Sequence, residues 1–247
     1  MSQSIERAVE TLEFVAIRPR TQSEVAAHLS VHRSTALRVL QTLTEYGLTR
    51  KQPDGRYGVG YRLAGLASTA REQFDLANLA RPYLVTLGEM CMHTIHLAAL
   101  DSGRIIYLDK VEQPGMVKLF SQIGAPVCLH TAGVSKAILA YQPPAVVDSI
   151  MAAVDFATHT STTITSRAQF DTELVAVAER GWSIDDAEYE DYINCVAMPI
   201  RDASDRVVAA VSITSLKARA DLDALKLLLP DLLTVTENIS KELGWRQ

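Results

Sequence analysis

Arg33, Ser34, Thr35, Arg38 and Gln41 recur on one side of a helical period whose other side is Ala36, Leu37, Leu40 and Leu43. Guanidiniums, hydroxyls and an amide on one exposed face are the groups that pair with phosphate oxygens and base edges. The helix opens on Arg33-Ser34-Thr35, which places a cation and hydroxyls where unpaired backbone N–H groups already favour an anion. Arg38 has the fork geometry that matches guanine O6 and N7. Further on, Arg50, Lys51 and Arg56 flank Gln52-Pro53-Asp54-Gly55, a turn sequence that makes a basic hairpin. An isolated polar residue on a helix is usually no more than solvated surface, but here the polar face and the hairpin occur together.

Elements able to position these groups surround them. A first helix is expected over Ser4–Ile17, with Ile5, Ala8, Val9, Leu12 and Val15 at helical spacing and Pro19 ending it. Thr21 or Ser23 caps a second helix that turns Val25, Ala26 and Leu29 inward. A turn at Leu29-Ser30-Val31-His32 leads into the polar-faced helix, which stops at Gly47. Strands at Leu48–Lys51 and Arg56–Val59 follow. From Thr21 to Leu63 the pattern is a helix-turn-helix with a β-wing, an arrangement that lays its second helix in the major groove. The residues expected to face DNA are Thr21, His32, Arg33, Ser34, Thr35, Arg38 and Gln41, with Arg50, Lys51 and Arg56 on the wing.

The charge distribution agrees with that division. Residues 1–70 carry a balance of +3, whereas the remainder carries −8 within a net charge of −5. A mildly basic module on an acidic body docks on phosphate while the body stays off it. No apolar run approaches the roughly 20 residues of a membrane span, and the charged, helical N-terminus does not resemble a signal peptide. Cys91, Cys128 and Cys195 are an odd number without metal-type spacing, as expected of reduced thiols in a cytoplasmic protein.

Beyond the wing, residues 66–92 are expected to form a linker helix, with Pro82 starting a second segment or kinking the first. Its apolar content exceeds what a free linker needs and suits packing against a second subunit. Strands are expected at Thr94–Leu100, Arg104–Val111, Met116–Gln122, Ser183–Ala187, Cys195–Ile200 and Val207–Thr214, with turns at Asp101-Ser102-Gly103 and Asp202–Asp205. Helices are expected at Gly133–Tyr141, Pro143–Val154, Arg167–Arg180 and Leu222–Leu243, and an exposed loop or short extended segment at Thr158–Thr165. Strands grouped on either side of a helical block predict an α+β domain around an antiparallel sheet.

Three blocks carry a resemblance to the IclR family of bacterial transcriptional regulators. They are SEVAAHLSVHRSTALRVLQTLTEYGL with GRYGVGYRL, then GAPVCLHTAGVSKAILA, then GWSIDDAEYEDYINCVAMPIRDASDRVVAAVSIT. The resemblance implies a winged helix-turn-helix over residues 1–65, a linker helix over 66–92, and a GAF-like α/β effector domain with an antiparallel sheet over 93–247. It also implies a homodimer or dimer of dimers on double-stranded, palindromic operator DNA. A small carboxylate effector from a catabolic pathway would modulate that binding, with repression the favoured direction.

Carried onto this chain, the effector residues implied are Gly124, Ala125, Asp185, Cys195, Ser212 and Thr214, with Leu119, Phe120 and Ile123 as apolar walls. Backbone amides and hydroxyls would hold the carboxylate, and Asp185 would accept from a ligand hydroxyl. Ser212 and Thr214 lie two apart and so share a strand face, where buried hydroxyls need partners. Cys195, by contrast, is equally well read as a small core residue. The chain departs from the family pattern at Ser135 and Tyr192, where glycines are usual, and Tyr192 would narrow the pocket or add a hydrogen bond.

Competing chemistry is weaker. His93 and His96 would meet on a helix but oppose each other on a strand, and Cys128 and His130 lie elsewhere, so no metal and no cofactor are expected. Cys195 with a histidine could form a thiolate pair, but no spacing fixes one. The chain also has no nucleophile elbow, phosphate loop or dinucleotide fingerprint. An enzyme is therefore not expected. The alternative is a ligand-binding protein or Cys-dependent enzyme whose helical module does not touch DNA.

Overall fold

The computed structural model describes residues 3–73, 75–114, 119 and 121–246. It divides into two compact units, residues 1–75 and 76–247. The first contains α1 (Gln3–Ile17), α2 (Gln22–His28), α3 (Arg33–Glu45), β1 (Thr49–Lys51), β2 (Tyr57–Val59) and α4 (Tyr61–Gln73). Val15, Val25, Ala26, Ala36, Leu40 and Tyr57 form its core, with Leu29 packed against it. Leu37 is only half-buried. In α1 only Thr11 and Val15 are buried, so Ile5 and Val9, one turn apart, present an apolar stripe that is 67% and 49% exposed.

The turn into α3 is made by Ser30 at φ +52°. The turn out is made by Gly47 at φ +70°, with the Leu48 N–H donating to the Leu43 carbonyl, a Schellman-type end. β1 and β2 pair antiparallel around Gly55 at φ +82°. Gly60 closes the hairpin onto the end of α3. A Cβ there would lie 2.1 Å from the Gly47 carbonyl oxygen, so only glycine fits.

The second unit begins with α5 (Asp75–Cys91), followed by β3 (Thr94–Asp101), β4 (Arg104–Val111), α6 (Gly133–Leu139), α7 (Pro144–Met151) and α8 (Arg167–Arg180). Then come β5 (Ser183–Asp186), β6 (Ile193–Arg201), β7 (Val207–Leu216), α9 (Leu222–Lys226) and α10 (Leu229–Glu242). The strands form one antiparallel sheet in the order β4-β3-β7-β6-β5. Strand alternation sends Ile95, Leu97, Val196, Met198, Val211 and Ile213 into a core with α5, α9 and α10. Ala98, Cys195, Ala197 and Ala210 face the other way, into a core with α6, α7 and α8.

Two expectations are corrected here. The stretch around residues 66–92 is two helices, the second starting at Asp75, so Pro82 lies inside α5 and begins nothing. Leu84 and Leu87 of α5 are fully buried against the unit's own sheet, while Leu66 and Met90 of the same stretch stay exposed. The C-terminal helix is broken between Lys226 and Leu229, because Pro230 in the first turn of α10 disfavours continuous helix through the preceding residues. The Thr158–Thr165 segment is irregular and mostly exposed, as expected, and its threonines tie it to the β5–β6 loop. Thr160 and Thr163 donate to the Ala187 and Glu188 carbonyls at 2.7 and 2.6 Å, and Thr163 is buried. The expected strand Met116–Gln122 falls largely outside the described residues. Among the described residues no helix is long and apolar enough to cross a membrane.

Candidate nucleic-acid interface and ligand cavity

Thr21 is the cap of α2, in a reciprocal box with Glu24. Its hydroxyl receives the Glu24 N–H, and the Glu24 carboxylate receives the Thr21 N–H at 2.8 Å. These hydrogen bonds from Thr21, and one from Arg18, hold the Glu24 carboxyl down at about 2. The Thr21 hydroxyl is thus engaged within the chain. His32 caps α3, its Nδ1 lying 2.9 Å from the Ser34 Oγ. Along α3, Arg33, Ser34, Arg38 and Gln41 are exposed and Thr35 is half-buried. On the wing the Arg50 guanidinium lies 5.6 Å from the Tyr61 ring centre and the Lys51 ammonium 5.7 Å from that of Tyr57. Arg56 differs from them: it is held by Asp54 at 3.5 Å, Glu24 at 4.0 Å and the Pro19 carbonyl at 3.4 Å. Its first role is to fasten the wing to α2.

In the second unit, strand register places several polar side chains in one row. Asp185 of β5 stands opposite Cys195 of β6, which stands opposite Thr214 of β7, and Ser212 of β7 stands opposite His96 of β3. Directly opposed residues share a face, and this face lines a cavity of about 260 Å³. Tyr107, Leu119, Tyr189 and Ile193 give it apolar walls, and Ser121 and Glu190 add polar groups. His96 organises the floor. Its Nε2 lies 2.7 Å from the Ser121 Oγ and its Nδ1 3.2 Å from the Thr214 Oγ1, with the Ser212 Oγ at 3.4 Å.

Burial sets the protonation states. It pushes His96 down to about 3, with Lys110 adding to the effect, so the imidazole is neutral. It pushes Asp185 up to about 6 against the pull of Lys136. It pushes the Cys195 thiol up to about 12, with Asp185 adding to the effect. Beneath the cavity the fully buried Lys136 pairs with Glu188 at 2.5 Å. The Glu188 N–H in turn donates to Asp185 at 2.8 Å.

Of the residues carried over for the effector, Ala125, Asp185, Cys195, Ser212 and Thr214 line this cavity and Gly124 does not. The Gly124 N–H donates to the Tyr107 carbonyl and the Ala125 N–H to the Gln122 carbonyl, so neither amide is available to a carboxylate. Their part is the turn that brings Ser121 and Ala125 to the wall, with Gly124 at φ +84°. Leu119 is a wall, Ile123 is 42% exposed and is not, and Phe120 lies outside the described residues. Tyr192 is 48% exposed and does not narrow the cavity; Tyr189 lines it instead.

Sequence reasoning missed Ser121, Tyr107, Tyr189 and the Lys136–Glu188 pair. It weighed His96 only as a metal ligand. The signal for its actual place was present, since a histidine at the polar parity of an otherwise apolar strand must face a polar interior. Among the described residues His93 and His96 join no group of three or more possible metal ligands. Cys128 and His130 do come together, joined by His159, with their ligand atoms within 4.8 Å of one another.

Comparison with known proteins agrees with this division. The model for the IclR helix-turn-helix domain matches residues 4–53, and that for the bacterial transcriptional regulator IclR C-terminal region matches residues 68–241. The uncharacterized HTH-type transcriptional regulator RhmR of Escherichia coli is 30% identical, the match covering 98% of this chain and 94% of that protein. The HTH-type transcriptional regulator KdgR of the same organism is 28% identical over 90% of this chain and 85% of its own. The crystal structure of the Thermotoga maritima IclR superposes with a TM-score of 0.80 at 28% identity, covering 99% of this chain and all of that one.

A winged helix-turn-helix followed by an antiparallel-sheet effector domain defines a DNA-binding transcriptional regulator. Within that class, the chain belongs to the IclR family.

Proposed function

We propose that this chain is a cytoplasmic, ligand-responsive repressor that binds a palindromic operator as a homodimer or dimer of dimers and is modulated by a small organic acid. The observation that carries the reading is the polar-floored cavity, built on a unit separate from the DNA reader. A concave site with convergent hydroxyls and apolar walls is the form of a small-molecule site. A ligand carboxylate is received by the Ser121, Ser212 and Thr214 hydroxyls, while Asp185 exchanges a hydrogen bond with a ligand hydroxyl. Two α3 helices enter successive major grooves about 34–36 Å apart, and the wing contacts phosphate. The exposed Ile5–Val9 stripe of α1 supports self-association. The ligand shifts DNA binding only through its different affinity for the two dimer geometries.

An enzyme built on Cys195 is disfavoured by its buried, protonated thiol, because the thiolate is the nucleophile. The test is fluorescence anisotropy on DNA from the chain's own upstream region at fixed salt, with a panel of small oxo, hydroxy and aromatic acids. Competitor-resistant binding that one acid weakens at least about tenfold, roughly 1.4 kcal/mol, supports the reading. Strengthened binding would make the protein an activator or co-repressed regulator, and binding no tighter than to random DNA would overturn the operator assignment.

A further inference from the structure

Cys128, His130 and His159 lie together at the flank of the cavity, and neither the DNA reading nor the effector reading uses them. Their ligand atoms are all within 4.8 Å of one another, and the Cys128 Sγ lies 3.8 Å from the His130 Nδ1. Four-coordinate zinc, with bonds near 2.0–2.3 Å, needs ligand separations of about 3.4–3.6 Å. The Cys128–His130 pair is therefore close to that geometry as it stands, and His159 reaches it with a shift of about 1 Å. His159 is exposed, so its ring has room to move.

A metal-binding histidine characteristically donates its other ring N–H to a carbonyl or carboxylate, which fixes the tautomer and aims the free lone pair at the ion. His130 is arranged this way. It is buried, and its Nε2 lies 3.1 Å from the Ala157 carbonyl oxygen, which leaves Nδ1 as the lone-pair nitrogen facing Cys128. The segment that supplies the carbonyl and His159 is itself fixed. Phe156 turns the chain at φ +50°, the Ala157 N–H is held by Asp155, and the His159 N–H by Thr163. The His159 ring packs on Tyr189, with ring centres 4.6 Å apart.

We propose that Cys128, His130 and His159 form a binding site for a divalent transition metal of the zinc type. One thiolate and two imidazoles are a borderline-soft donor set that selects such ions over magnesium or calcium. Three protein ligands leave a fourth position open. Cys128 also lines the cavity, so the ion sits at its wall. The lining there has no lysine or arginine among the described residues, and the metal supplies positive charge to which an acid or hydroxyl ligand can bind. On binding, the Cys128 sulfur gives its proton to solvent and forms the bond to the metal, with no change of oxidation state.

Cobalt(II) titration of the reduced, untagged full-length chain tests this independently of any DNA activity. The expected result is one equivalent bound, with a near-ultraviolet sulfur-to-cobalt charge-transfer band and the visible bands of a tetrahedral site, both bleached by zinc. Cys128→Ser removes the charge-transfer band. His159→Ala, which alters an exposed side chain and spares the core, lowers zinc affinity at least as much as the roughly 10–100-fold expected for loss of an outer-sphere partner. Cys91→Ser and Cys195→Ser leave the spectrum unchanged. No charge-transfer band, a band that survives Cys128→Ser, or unchanged zinc affinity in His159→Ala would each overturn the proposal.

Discussion

The Lys136 ammonium lies 2.5 Å from the Glu188 carboxylate with both side chains buried, so α6 is bound to the β5–β6 loop through an ion pair shut off from water. The second Glu188 oxygen, Oε2, is buried without a hydrogen-bond partner. Glu188 therefore depends heavily on Lys136, and Asp185 depends on Glu188, whose N–H it accepts. Removing one partner leaves an uncompensated buried charge. Lys136→Met or Glu188→Leu alone should cost about 3–5 kcal/mol, whereas the double substitution should cost much less than their sum. Urea denaturation of the four chains closes the cycle. Additive losses would mean that the pair is not coupled.

Asp185 makes folding depend on pH in a definite direction. Burial raises its carboxyl from 3.8 to about 6 in the folded chain. Between those values the folded chain keeps the proton that the unfolded chain has released. Its contribution to stability is therefore present in full below about 3.8 and lost as pH rises through about 6. Asp185→Asn still accepts from Glu188 and should flatten that part of the profile. Urea midpoints across the range read this directly, and an unchanged slope in the variant would assign the dependence to another group.

Gly133 opens α6 against the sheet so closely that a Cβ there would lie 2.7 Å from the Cys195 Sγ. Overpacking of this kind typically costs about 1–3 kcal/mol. Gly133→Ala should fall in that range, and Cys195→Ala, which deletes the obstructing sulfur, should restore most of the loss in the double variant. Thermal unfolding of the single and double variants measures the rescue. Failure of the rescue would place the strain in the backbone and not at the sulfur.

These relationships also mark where the sequence was legible. Binary pattern and turn chemistry located α2, α3, the wing and β3 to β7, because each has a short-range signature: Thr21 with Glu24, Gly47 after the last apolar position, Asp54-Gly55 at the hairpin. Ser212 and Thr214 were legible as a same-face pair. Register decided the rest. That Asp185, Cys195 and Thr214 stand in a row follows from pairing between strands distant in sequence, and no local pattern encodes it. The resemblance supplied Gly124 and Ala125 as amide donors, but their N–H groups are already taken by Tyr107 and Gln122, a matter of turn geometry. No local pattern marks Lys136 and Glu188 as a pair, because only the fold brings the two together and buries both.

The basic side chains of the reader should separate into three behaviours on DNA. Arg38 is exposed in the body of α3, where a guanidinium can fork onto a guanine. Arg38→Ala should cost about 1–3 kcal/mol, concentrated at one base position of each half-site. Arg50 and Lys51 are exposed on the wing and should act on phosphate. Either changed to alanine should weaken all sequences alike and reduce the salt slope by about 1. Arg56 already holds Asp54, Glu24 and the Pro19 carbonyl. Arg56→Ala should therefore loosen the wing and lower the unfolding temperature of the reader, with the salt slope nearly unchanged. Anisotropy on operator and half-site-substituted DNA over a salt series, beside thermal melts, distinguishes the three. A uniform loss for Arg38→Ala would move base reading to another residue of α3, and a full unit of salt slope lost with Arg56 would return it to the phosphate-binding set.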